Sequence, residues 1–222
     1  MMQSKGLHAV RRWSAVKNRL TLCAIPVLLS MPFVIGCFGG PSRIEAPKWD
    51  VEAITDACMQ QTDEDGDGFV TKSEAKANAP GLAYALQQLD TDQDKKLSVD
   101  EIRQRFQDLA DAKTGVQGFN MRLYYRGRPM RQANIRLVPE PFLEGIVEEA
   151  EGQISDEYTG TADFDIPGDE FYGVRPGMYR VEVTSDDVKI PAKYNDETTL
   201  GVDVSPFTNP FEEAGGIRIQ LK

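Results

Sequence analysis

The sequence predicts an α+β protein in two parts: an α-helical segment over residues 49–114, then an antiparallel β-sandwich of about seven strands over residues 116–222. The first part spaces its apolar residues at three and four, the period of a helix with one buried face. Val51, Ile54, Ala57 and Cys58 form one such stripe, Leu82, Ala85, Leu86 and Leu89 a second, and Val99, Ile102, Phe106 and Leu109 a third. From Gly118 the period drops to two: Phe119, Met121 and Leu123 alternate with polar residues, as do Ala133, Ile135 and Leu137. A leader precedes both parts.

That leader covers residues 1–36. Lys5, Arg11, Arg12, Lys17 and Arg19 make a basic stretch without an acid, and residues 20–35 are apolar but broken by Pro26 and Pro32. The run is short for a membrane span and has the layout of a secretory signal. It ends Val34-Ile35-Gly36-Cys37, which resembles the lipobox of bacterial lipoproteins. By that resemblance Cys37 becomes the lipidated first residue, and residues 37–48 are a Gly- and Pro-containing tether. An ordinary secretory peptide or an uncleaved anchor helix are the alternatives. Cys23 leaves with the signal, so Cys58 is left without an intramolecular partner and reads as small core filler.

In the helical part, Trp49 and the N-cap candidate Asp50 open the first helix. A second runs over residues 72–78 until Pro80-Gly81, and the last ends near Lys113, before Gly115. Between the first two helices lies Asp63-Glu64-Asp65-Gly66-Asp67-Gly68-Phe69-Val70-Thr71-Lys72-Ser73-Glu74. Its carboxylates at positions 1, 3, 5 and 12, with Gly68 at 6, resemble the EF-hand calcium loop. The resemblance implies side-chain oxygens from Asp63, Asp65 and Asp67, the carbonyl of Phe69, Thr71 directly or through water, and both oxygens of Glu74. A second frame supplies Asp90, Asp92 and Asp94, Lys96 at position 7, Ser98 at 9 and Glu101 at 12. Lys95 replaces its glycine, which strains the turn, and Lys96 brings a second ammonium close to the ligands. Two Ca2+ sites are therefore expected, the second weaker. The alternative for the second loop is a degenerate hand that only supports the first. Val70 and Leu97, at position 8 of each loop, are expected to pair in a short antiparallel bridge. The loops start 27 residues apart, a compact spacing that resembles EF-hand pairs of bacterial secreted and surface proteins. The apolar stripes read as the core joining the hands, with a target-binding groove as the alternative.

Charge and composition exclude several functions. Five of the 25 Lys and Arg residues and none of the 35 acids fall in the leader, so a mature chain would carry 20 against 35, net −15. That argues against nucleic acid as a partner and against adhesion to anionic lipid by charge. The only histidine is His8, in the leader. No imidazole would remain for general-base catalysis, a Ser-His-Asp triad or a zinc site of the usual kind. Carboxylate chemistry alone passes this filter.

The β-rich part continues through residues 163–166, 178–184, 200–204 and 217–221, with turn signals at Arg126-Gly127-Arg128-Pro129, Pro139, Pro141, Pro167-Gly168 and Arg175-Pro176-Gly177. Two segments carry a resemblance: 125–139, with Tyr125-Arg126-Gly127-Arg128-Pro129-Met130 then Ala133-Asn134-Ile135-Arg136-Leu137-Val138-Pro139, and Arg175-Pro176-Gly177-Met178-Tyr179-Arg180-Val181-Glu182-Val183. They are similar to the opening and a later strand of carboxypeptidase-regulatory-like or transthyretin-like domains, which implies a sandwich used for stability or recognition. The hydrolase activity of some transthyretin relatives needs histidines and a Tyr-Arg-Gly-Ser terminus that this chain lacks. Glu148, Glu149 and Glu151, Asp169 and Glu170, and Asp186 and Asp187 form acidic clusters that read as solvated loop residues rather than a glycosidase pair.

These observations lead to a calcium-binding lipoprotein of the cell envelope, not an enzyme, facing the periplasm or the exterior. It would be attached to the membrane through its lipidated N-terminus, with a sandwich that contacts an envelope protein or glycan. A calcium sensor exposing an apolar groove, and a carbohydrate-binding or carboxylate-based hydrolytic module, are the alternatives. Against the sensor, Met59 is the one methionine of the helical part.

Overall fold

Asp50 opens α1 (Val51–Thr62) as expected: its carboxylate accepts from the Ala53 N–H at 3.2 Å. The computed structural model describes residues 44–154, 161–166, 172–207 and 217–222. The leader and Cys37, the Pro167-Gly168 turn and the acids Asp169 and Glu170 lie outside the described residues. Cys58 is fully buried on α1, and burial pushes its thiol up to about 12, so it is an inert core residue.

The helical part continues as β1 (Phe69–Thr71), α2 (Lys72–Asn78), α3 (Pro80–Leu89), β2 (Lys96–Ser98) and α4 (Val99–Ala112). Pro80 does more than end α2. It stands at the first position of α3, where its missing N–H costs nothing. The predicted stripes point inward, with Leu82, Ala85, Leu86 and Leu89 of α3 and Ile102, Phe106 and Leu109 of α4 buried. β1 and β2 pair antiparallel with Val70 opposite Leu97, and both are fully buried.

The remaining strands are β3 (Asn120–Tyr125), β4 (Arg128–Pro129), β5 (Ala133–Pro139), β6 (Ala150–Ile154), β7 (Thr161–Asp165), β8 (Gly177–Thr184), β9 (Gly201–Val204) and β10 (Ile217–Leu221). They form one curled sheet in the order β10-β3-β7-β6-β5-β8-β9, with β4 folded back on β3. The protein is thus a mixed α+β fold with a β-sandwich-like part. Two features depart from the expected strand set. β10 runs parallel to β3, while the other pairings of this sheet are antiparallel. β6 occupies the stretch expected to be part of a long acidic connection. Its inward residues Ala150 and Gly152 are too small to give an apolar period, yet they are required: a Cβ on Gly152 would stand 2.8 Å from the Phe164 ring.

The described residues belong to one compact unit, and a single buried core runs from the helices into the sheet. Trp49 stacks on Phe106 at 6.3 Å, and Phe106 meets Phe142 edge-on at 5.9 Å. At Gly201 on β9 any Cβ would overlap the backbone of Pro80 and Gly81, so α3 starts in direct contact with β9. Arg105 of α4 and Asp203 of β9 form a buried ion pair across the same junction. Among the described residues no helix is long and apolar enough to cross a membrane.

Glu140, just after β5, is a further buried polar group. One carboxylate oxygen accepts from the Gly81 N–H at 2.6 Å, the other has no hydrogen-bond partner, and Arg180 lies 4.0 Å away. Burial pushes its carboxyl from 4.5 up to about 7 despite these neighbours. A folded value above the unfolded one stabilises the protein fully below pH 4.5, and that stabilisation is lost as pH rises through 7. Glu140→Gln should therefore flatten the stability profile between pH 4.5 and about 7, removing roughly 3 kcal/mol of pH dependence. Urea unfolding of both proteins across that range measures it; parallel profiles would show that Glu140 does not titrate there.

Candidate metal centre

The two loops between helices share most of one hydrogen-bond pattern, differing at the amide that the first aspartate takes beside the one at position 6. In the first, Asp63 accepts from the Gly66 N–H at 2.8 Å and the Gly68 N–H at 3.0 Å. Asp65 accepts from the Asp67 N–H at 3.2 Å, and Asp67 from the Phe69 N–H at 2.9 Å. In the second, Asp90 accepts from Asp94 at 3.1 Å and Lys95 at 2.9 Å, Asp92 from Asp94 at 3.1 Å, and Asp94 from Lys96 at 2.8 Å. Short acidic side chains that bond amides ahead of them fold such turns locally.

As a result Asp63, Asp65 and Asp67 converge with carboxylate oxygens within 4.8 Å of one another, and Asp90, Asp92 and Asp94 do the same. Glu74 and Glu101 approach from the helices that follow. Each stands third in a capping box, with Thr71 and Ser98 as the N-caps of α2 and α4. Glu74 accepts from the Glu64 N–H at 3.1 Å and from the Thr71 N–H and hydroxyl at 2.8 and 2.6 Å. Glu101 repeats this with Thr91 at 2.7 Å and Ser98 at 2.9 Å. Each closing glutamate is therefore tied across its loop but stands outside the aspartate triad. Phe69 and Lys96 lie on the paired strands, opposite Ser98 and Thr71 respectively.

The electrostatics differ slightly between the loops. The Thr71 hydroxyl and amide hold the Glu74 carboxyl below its usual range. Burial opposes ionisation of Glu101, but bonds from Ser98 and Thr91 outweigh it and hold the group at about 2. Both glutamates are therefore anions at neutral pH, ready to add charge to a triad.

One ammonium group reaches both loops. The Lys96 Nζ lies 3.1 Å from Asp67 Oδ2 in the first loop and 5.2 Å from the Phe69 ring centre, and the Asp94 carboxylate of its own loop attracts it as well. The Thr71–Lys96 pairing of β1 with β2 carries it there, a long-range effect that loop spacing does not encode. Lys95 behaves as expected, with φ +72°, beside the glycine Gly68 at +82° in the first loop.

The donor set fits a hard cation. Every candidate side-chain ligand offers oxygen, and the aspartate oxygens that accept a single amide bond keep a second lone pair, whereas Glu74 Oε2 and both oxygens of Glu101 already accept two bonds each. No imidazole or thiol approaches either triad among the described residues. Among the described residues no three acidic groups of the sheet come close enough to hold a metal ion, although Glu151, Asp165, Glu182 and Asp196 line one cavity. Glu148 pairs with Arg175 at 2.9 Å, and Arg136 with Glu182 at 2.8 Å and Glu149 at 3.6 Å. Comparison of the chain with protein-family models, curated proteins and solved structures finds no match.

Proposed function

We propose that this protein is a calcium-binding lipoprotein of the cell envelope, in which an EF-hand pair takes two Ca2+ ions and a transthyretin-like sheet serves as a non-catalytic interaction module. The observation that carries this reading is the repetition: two loops with acids at positions 1, 3, 5 and 12 share the amide bonds from positions 5, 6 and 7 to those acids and join through Val70 and Leu97. Asp63, Asp65, Asp67, Phe69, Thr71 and Glu74 would hold the first ion. Asp90, Asp92, Asp94, Lys96 through its carbonyl, Ser98 and Glu101 would hold the second. The ion supplies a divalent charge that offsets repulsion among the carboxylates. The protein supplies loops already folded by their own amides, so little ordering entropy remains to be lost on binding. The membrane is a partner through lipidated Cys37, and the sheet would meet an envelope protein or glycan.

Calorimetric titration of the purified protein with calcium tests the reading. Two binding events are expected, in or somewhat tighter than the range of about 10⁻⁴ to 10⁻³ M typical of extracellular modules. Asp65→Asn should weaken one event and Asp92→Asn the other. Heat-silent titrations, with no calcium retained on equilibrium dialysis, would overturn it.

Lys95 yields a separate expectation. Its left-handed backbone exists before any ion arrives and costs about 1 kcal/mol relative to glycine. Lys95→Gly should raise the metal-free melting temperature by about 2–4 °C and, by removing an ammonium from the loop, tighten the second event. An unchanged melting temperature would show that the turn is not strained.

A further inference from the structure

We infer that Lys96 of the second loop is a tethered cation that occupies the first loop and lowers the calcium affinity of the first loop. The inference rests on the calcium reading above. Lys96 Nζ donates to Asp67 Oδ2 at 3.1 Å, on the residue that stands at position 5 of the first triad. The Phe69 ring lies under the ammonium at 5.2 Å, so the contact has a second anchor.

The placement follows from the register. Lys96 stands opposite Thr71 on the paired strands, so its side chain crosses from one loop to the other. Lys95, one residue earlier and carrying the same charge, forms no ion pair with the first loop: of the two adjacent lysines, Lys96 is the one that pairs across the loops. An ion entering the first triad has to displace Lys96 from Asp67 and then bind beside the ammonium it displaced. Both groups are 39% exposed, so solvent screens the competition and the effect on affinity is moderate.

Lys96→Met tests this, with Lys95→Met as a control of equal charge change. In calcium titrations of the full-length protein followed by calorimetry and by NMR of the loop amides, Lys96→Met should tighten the first-loop event by about two- to fivefold. Lys95→Met should move the second-loop event instead. In the wild-type protein the Lys96 side-chain signals should shift with first-loop occupancy, and the gap between Lys96→Met and wild type should narrow at high salt. If both loops bind calcium but Lys96→Met leaves the first unchanged, or moves only the second, the inference falls and the calcium reading stands. If neither wild type nor variants bind calcium, the reading fails and takes the inference with it.

Discussion

Filling the loops with calcium is expected to raise the melting temperature by about 5–10 °C for each site occupied at a hundredfold excess over its dissociation constant. The size follows from linkage: a ligand that binds only the folded state at that excess contributes about 2.7 kcal/mol. A protein of this length shifts by about 2–4 °C per kcal/mol. The effect should be large because both aspartate triads hold like charges within 4.8 Å, repulsion that the metal-free fold has to bear. Differential scanning calorimetry in calcium and in chelator measures it. Magnesium is the discriminating control, since it demands a tighter octahedral shell and should stabilise less. Equal melting temperatures with calcium and with chelator would mean that the loops do not couple an ion to folding.

Breaking the buried pair between Arg105 and Asp203 should cost nearly as much. Asp203→Ala leaves a guanidinium without its anion in the junction between α4 and β9, a loss of about 3–5 kcal/mol. The pair is itself incompletely satisfied, since Arg105 Nε and Asp203 Oδ1 have no hydrogen-bond partner. Replacing both partners with apolar residues of similar volume, Arg105→Met with Asp203→Leu, should therefore recover most of the loss. Chemical denaturation of the single and double variants measures both quantities. A double variant as unstable as Asp203→Ala would show that the pair contributes more than its desolvation costs.

The sequence made the helices and both triads legible because their signals are local. Apolar spacing, an N-cap at Asp50 and aspartates two residues apart are each decided within one or two turns of chain. What it hid depends on contacts far apart in the chain. Lys96 reaches Asp67 only because β1 and β2 align, and Glu140 meets Gly81 only because α3 lies against the sheet. Arg105 carried a faint signal: it lies between Ile102 and Phe106 on a buried stripe, where a charge needs a partner. Asp203 carried less, since alternation with Val202 and Val204 would place it in solvent. It is buried all the same. β6 was missed because alanine and glycine fill two of its three inward positions, which leaves Ile154 as its one large apolar residue, and at Gly152 close packing on Phe164 admits no side chain.

The parallel pairing of β10 with β3 has a consequence for how the chain assembles. Ile217 bonds in register with Met121, so the whole of the remaining sheet is synthesised between the two partners. Until β10 docks, β3 is an open sheet edge with apolar Met121 and Leu123 on one face, the kind of surface that pairs with other chains. Closing so long a loop is slow compared with forming the helices. The order of events therefore places the risk of aggregation late: the two acidic loops can be complete, and α3 and α4 formed, while the sheet still has an unprotected edge.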